Sequence, residues 1–227
     1  MPVFAQCIVC AAIGYTLGAI NPAYIMSRIK GFDIRNKGSG NAGASNAFLV
    51  FGKTVGVLCA LFDIAKAYFA VFTAERLFPE LSVAFAVAGV ACIAGHVFPF
   101  YMKFKGGKGL ACLAGIILYY DWRVFLALLG AEIVIVLVTD YICFVPVTAA
   151  ASFPVISYIM KRDIATSAIL AAAALIIFIK HIENFKRIGA GKELRFSYLW
   201  RPDDEKERIK QNNNADDEEL KKRFSAD

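Results

Sequence analysis

The sequence predicts an all-α, polytopic integral membrane protein with about seven transmembrane helices. Three observations support this. Hydrophobic residues make up 58% of the 227 residues, above the about 45–50% of an ordinary soluble domain, and mean hydropathy is +0.56. Apolar runs recur along the chain with short polar stretches between them, and broad polarity sets in only from about Asn184. Lys and Arg gather in alternate loops, as the positive-inside rule requires of a multi-span protein. The net charge of +6 therefore reads as orientation charge and gives no reason to expect a nucleic-acid partner.

The first span is expected over about Val3–Met26, with Gly14 and Gly18 forming a GxxxG face for close helix contact. No Lys or Arg precedes Arg28, so this run lacks the charged start of a signal peptide and is read as a retained helix. The second span, about Thr54–Phe78, carries Asp63 and Lys66 one helical turn apart, which reads as an intramembrane ion pair. The third is about Leu81–Tyr101. The fourth begins at Gly109 and is short, reaching about Tyr120. The fifth, about Val124–Val138, contains Glu132. The sixth, about Ile142–Met160, is interrupted by Pro146 and Pro154, and the seventh is about Ile164–Ile179. Several fall short of the ~20 residues that cross a bilayer unaided, so tilt or local thinning is expected.

The loops after the first and third spans, with the tail to Arg201, hold about fourteen Lys and Arg, against about four on the opposite side. That asymmetry places the N-terminus outside and the C-terminus in the cytoplasm. Residues 1–195 form the membrane domain and 196–227 a polar cytoplasmic tail, in which Glu218 with Lys222 and Glu219 with Arg223 have the spacing of a short solvated helix. Six cysteines lie in or beside apolar runs. Cys7 and Cys10 form a CxxC that no second pair completes, so they read as packing residues and no metal site is expected.

Three polar, glycine-bearing stretches share the predicted cytoplasmic face. The central one is Gly95–Gly109, GHVFPFYMKFKGGKG. Its glycines can turn backbone N–H groups toward a ligand, and Lys103, Lys105 and Lys108 add charge, which suggests an anion site at the lipid boundary. The same residues also suit a plain positive-inside loop. The first stretch, Gly38–Asn46, is preceded by Arg35 and Lys37 and offers Ser39, Asn41, Ser45 and Asn46. The third, His181–Glu193, offers His181 and Asn184 on one helix face, with Lys186 and Arg187. Convergence of donors and cations without clustered carboxylates suits a phosphate-bearing ligand.

Several phosphate motifs fail. A P-loop ending at Gly52-Lys53-Thr54 would need glycine where Ala47 stands, and one ending at Gly107-Lys108 would need it at Met102. GSGNAG has no flanking βαβ pattern. Neither histidine is followed five residues later by Asp, so the HxxxxD motif of soluble-type glycerolipid acyltransferases is absent.

Together the three stretches resemble the motifs of the PlsY family, the bacterial membrane glycerol-3-phosphate acyltransferases that use acyl phosphate. DIRNKGSGNAGASN stands where that family has DIR…GSGNxGATN, and GHVFPFYMKFKGGKG matches the second motif throughout. HIENFKRIGAGKE matches HxxNxxRLxxGxE with Ile188 in the Leu place, and Asp63-Ile64-Ala65-Lys66 resembles the family's D-L-x-K. Order and spacing agree from about Gly18 to Glu193. The chain departs from the family at Leu49 (usually Arg), Cys143 and Pro146 (usually Ser) and Cys112 (usually Thr), and its tail beyond Glu193 is longer.

The resemblance implies acyl transfer from acyl phosphate to the 1-hydroxyl of glycerol 3-phosphate, giving lysophosphatidic acid and phosphate in a bacterial cell (inner) membrane. It also implies no cofactor, and as partners these two substrates and membrane lipids. His181, Asn184, Ser39 and Lys108 become the catalytic candidates. Arg35, Gly40, Asn41, Gly43, Ser45, Asn46, His96, Lys105, Gly106, Gly107, Gly109, Arg187 and Glu193 become the substrate-binding ones. His181 is either a general base or an orienting group while a substrate phosphate oxygen takes the proton. His96 also reads as structural, bonding backbone in its turn, and Glu193 as closing a local loop through hydrogen bonds. Two rival functions remain: a degenerate relative that binds a phosphorylated ligand without acyl transfer, supported by Leu49 and Cys143, and an organophosphate transporter, which would want more deep cations than Lys66.

Overall fold

The computed structural model describes residues 1–201 together with 204, 205, 207–209 and 212. The expected helix around Glu218–Arg223 lies outside the described residues. Every regular element among the described residues is helical. Helix α1 (Val3–Ala19) is followed by α2 (Pro22–Ile29), α3 (Ala44–Phe51), α4 (Lys53–Leu77), α5 (Ala84–Val97), α6 (Leu110–Tyr120), α7 (Trp122–Thr139), α8 (Phe144–Lys161) and α9 (Ile164–Gly189).

Local chemistry sets the boundaries. The first expected span bends by 42° between α1 and α2, because Pro22 has no N–H to continue the α1 ladder. Asn21 caps the new helix, its Oδ1 accepting from Tyr24 N at 2.8 Å. Asp121 accepts from Arg123 N at 2.7 Å and starts α7, and Asp163 accepts from Ala165 N at 3.0 Å and starts α9. Helix α8 runs unbroken through Pro154, a departure from the expected interruption.

Among the described residues, five helices are long and apolar enough to cross a membrane, six if α1 and α2 count as one bent span. The remaining expected span is α6, whose eleven residues cover about 16 Å at 1.5 Å per residue, roughly half of a ~30 Å hydrocarbon core. It still runs from the loop end of the bundle to the opposite end. There Tyr119 donates to Glu75 at 2.7 Å, and Lys161 lies 4.6 Å over the Tyr120 ring. The protein is a multi-pass integral membrane protein, and large apolar side chains such as Leu58, Phe69, Val138, Ile159 and Leu175 face outward, as they must in lipid.

Lipid tails give apolar helices no reason to associate, so close backbone packing holds the bundle together. The predicted GxxxG face performs that role. A Cβ on Gly14 would lie 2.2 Å from Ala88 O, and one on Gly18 would lie 2.1 Å from Cys92 O. Ala67, Val71, Ile93, Leu113, Ile116, Phe153, Leu170 and Ile177 fill the centre, from α4, α5, α6, α8 and α9. All six cysteines are free and five are buried, as expected of packing residues.

Candidate functional site

The first polar stretch is built around Asn46, which is fully buried. Its Nδ2 donates to Asn41 O (2.7 Å), Lys37 O (3.0 Å) and Ile34 O (3.1 Å), and its Oδ1 accepts from Ser39 N (2.7 Å). Asn46 therefore shapes the loop. Arg35 ties this loop to the next. It pairs with Asp33 at 2.6 Å and donates through Nη1 to Met102 O at 2.7 Å. The guanidinium holds the Asp33 carboxyl below the usual carboxylate range.

The second stretch corrects one expectation. Gly106 N–H donates to Val97 O and Gly107 N–H to His96 O, both at 3.0 Å, so these amides are spent on the last turn of α5 and do not cradle an anion. The glycines are required by space instead: a Cβ on Gly107 would sit 2.0 Å from His96 Nε2. The His96 ring joins the predicted Asp63–Lys66 pair. Lys66 Nζ lies 2.6 Å from Asp63 Oδ1 and 3.1 Å from His96 Nδ1, and it donates to Ile20 O at 2.6 Å. The Asp63 contact is ionic, since Oδ1 has no aligned donor. Asp63, His96 and Cys112 are close enough together to ligate a metal, but the Lys66 ammonium already supplies the cation there.

Lys108 turns the other way. Its Nζ donates to Asn184 Oδ1 at 2.5 Å, and burial, reinforced by the nearby Arg187 charge, pushes its pKa below the ordinary lysine value. Asn184 Nδ2 donates to Glu193 Oε1, and Arg187 Nε donates to Glu193 Oε2, both at 2.6 Å. Glu193 thus closes its local loop, as its structural reading anticipated. His181 Nδ1 lies 2.8 Å from Ile177 O, one turn back. A carbonyl can only accept, so Nδ1 carries the proton and Nε2 is the acceptor nitrogen of the neutral ring.

Two adjoining cavities open between these loops. The smaller, about 290 Å³, is lined by Ser39, Asn41, Gly43, Ser45, His96, Lys108, Gly109, His181, Asn184, Arg187 and Glu193, with apolar Ala60, Leu110 and Ile142. The larger, about 630 Å³, is lined by Arg35, Ser39, Gly40, Asn41, Lys103, Lys105, Gly106, Lys108, Lys180 and Arg187, with Asp33 and Glu183. Ser39, Asn41, Lys108 and Arg187 border both. Of the residues anticipated from the sequence, Asn46 and Gly107 border neither cavity. Sequence reasoning missed Lys180, which stands one helical turn before Asn184 on α9, a spacing that could have revealed it. It also missed the place of Asp63 in the wall of the smaller cavity. Leu49, Cys143 and Pro146, three of the departures from the family pattern, all line the smaller cavity.

A family model described as glycerol-3-phosphate acyltransferase matches residues 8–191. The chain belongs to the glycerol-3-phosphate acyltransferase family. Relatives of that name include one from Geobacter sulfurreducens, 35% identical over 190 residues that cover 83% of this chain and 97% of the relative. Another, from Symbiobacterium thermophilum, is 30% identical, covering 87% and 98%. The fold agrees with a crystal structure of PlsY, an integral membrane glycerol 3-phosphate acyltransferase, in its glycerol 3-phosphate form, with a TM-score of 0.78 and 30% identity over 85% of this chain and 96% of that one. The lysophosphatidic acid form of PlsY gives 0.75 at 28% identity, with the same coverage. The matched residues take in the first two polar stretches and most of the third, which border the two cavities.

Proposed function

We propose that the protein transfers a fatty acyl group from acyl phosphate to the sn-1 hydroxyl of glycerol 3-phosphate, releasing lysophosphatidic acid and inorganic phosphate. The observation that carries this reading is Lys108. It borders both cavities and leads into α6, where the helix N-terminus adds positive potential. One group there can face two anions at once. The larger cavity, with its cations, suits the phosphate of glycerol 3-phosphate. The smaller one, half apolar, suits the acyl end of the donor.

An acyl phosphate is already activated, so no covalent enzyme intermediate is required. The substrate hydroxyl oxygen forms a bond to the carbonyl carbon as the carbon–oxygen bond to phosphate breaks. The hydroxyl proton ends on the departing phosphate. His181 borders the smaller cavity and orients the substrates there, leaving the hydroxyl's proton directed at the phosphate. Asn184, held between Lys108 and Glu193, fixes the ammonium. Holding the reacting groups in this alignment supplies most of the acceleration. The loops lie on the cytoplasmic face of a bacterial cell membrane, with the N-terminus outside, and residues 1–195 form the catalytic unit.

A second reading, binding without transfer, is favoured by Leu49, Cys143 and Pro146 in the smaller cavity. Purified protein given acyl phosphate and glycerol 3-phosphate separates the two. The proposal expects phosphate release that depends on glycerol 3-phosphate, and no acyl transfer from acyl-CoA. Saturable glycerol 3-phosphate binding with no phosphate release would favour the second reading.

A further inference from the structure

The match to the family ends at residue 191, yet described residues beyond it return to the third polar loop. We propose that Arg208, held by Glu205 and assisted by Asn212, is a positioning clamp on the Gly191–Glu193 backbone, and through it on Asn184 and Arg187.

Glu193 decides where two active groups stand, since one carboxylate oxygen takes Asn184 and the other takes Arg187. Its backbone must therefore be fixed. The Lys192 and Glu193 amides both donate to Arg187 O, at 2.7 and 3.1 Å, which secures one side of the loop. The carbonyls on the other side are held by the clamp. Arg208 donates through Nη1 to Gly191 O and through Nη2 to Glu193 O, the latter at 2.7 Å. Asn212 Nδ2 adds a 2.7 Å bond to Gly191 O. Only a planar, forked guanidinium can span two carbonyls in this way.

The clamp has its own anchor. Glu205, 4% exposed, accepts from Arg208 Nε at 2.8 Å and from Arg195 N at 2.9 Å. The connecting segment is fastened further back. Asp140, at the end of α7, accepts from Ser197 N and Ser197 Oγ, both at 2.8 Å. The route from Arg208 to Lys108 runs through Glu193 and Asn184, and every link in it is a hydrogen bond.

Because this rests on the acyl-transfer reading, the test carries one readout that does not. In the full chain, Arg208→Ala should raise KM for glycerol 3-phosphate about tenfold, the size of one loosened charge-assisted contact, and change kcat by less than about threefold. Arg208→Lys keeps the charge but loses the fork, so its KM should stay raised. Asn212→Ala should move KM the same way by less. Hydrogen exchange at the Lys192 and Glu193 amides should quicken in Arg208→Ala while exchange in α4 and α5 is unchanged. Unchanged exchange at those two amides, or full recovery of KM in Arg208→Lys, overturns the clamp. If Arg208→Ala does not insert, Arg208→Lys and Asn212→Ala decide by the same readouts. Wild-type protein that releases no phosphate would refute the functional reading and leave the clamp to be judged by exchange alone.

Discussion

At the residue scale, Lys108 and its neighbours show how burial and partners divide one kind of side chain into several roles. Lys108 is half-buried beside Arg187 and bonded to Asn184, so water screens its charge less than that of an exposed lysine. Lys108→Ala should lower activity by at least about a hundredfold, as loss of one preorganised stabiliser does. Lys103, in a left-handed turn bordering only the larger cavity, should cost less than about tenfold, as a screened surface charge does. Initial rates of the two variants check this, and equal losses would contradict it. The lowered pKa of Lys108 adds a pH dependence. KM for the anionic substrate should rise at alkaline pH, starting below the ~10.4 of an ordinary lysine, and Lys108→Arg should remove that limb. Asp33 titrates at the acid end. Its folded pKa is depressed by Arg35, so the stability it contributes is whole above about pH 4 and is lost as pH falls through the lowered value. Thermal unfolding at pH 5 and pH 3 measures this, and Asp33→Asn should flatten the difference. Leu49, 41% exposed and in the wall of the smaller cavity, has room for a longer side chain. Leu49→Arg should lower KM for one substrate by roughly ten- to a hundredfold, one charge-assisted contact, and unchanged kinetics would mean that Arg187 already fills that place.

At the element scale, sequence patterns that depend on spacing were legible and those that depend on direction were not. The GxxxG of α1 predicted a close helix contact, and Gly14 and Gly18 meet the α5 backbone. Gly18→Leu should therefore prevent stable assembly, because its Cβ alone would stand 2.1 Å from Cys92 O. Detergent-extracted yield and thermal unfolding test that, and a variant of normal stability would refute the packing described. The pattern of the second motif suggests amides aimed at a ligand, but the carbonyls ending α5 claim the N–H groups of Gly106 and Gly107. A sequence shows that glycine is needed there without showing whether an N–H or the missing Cβ is the reason. The length of α6 was legible because Gly109 and Asp121 bracket it. The bend after α1 was not, because Pro22 falls within an otherwise continuous apolar run.

At the scale of the whole molecule, the convergence of three loops on one end of the bundle was legible from charge asymmetry and motif order. What joins them was not: Arg35 reaching Met102, Lys108 reaching Asn184 and Arg208 reaching Glu193 link residues distant in sequence, and no local pattern announces such pairs. Reporter fusions at Asn46 and Lys108 should both read cytoplasmic, because basic residues concentrate at that end. Opposite readings would separate loops that the structure joins.

The central claim is that these loops catalyse transfer to a phosphorylated glycerol. The most direct measurement is phosphate release by purified protein given acyl phosphate, with and without glycerol 3-phosphate. The account predicts release that requires glycerol 3-phosphate, forms lysophosphatidic acid in equal amount and is lost in Lys108→Ala. No release from well-folded protein, or release indifferent to glycerol 3-phosphate, would contradict it.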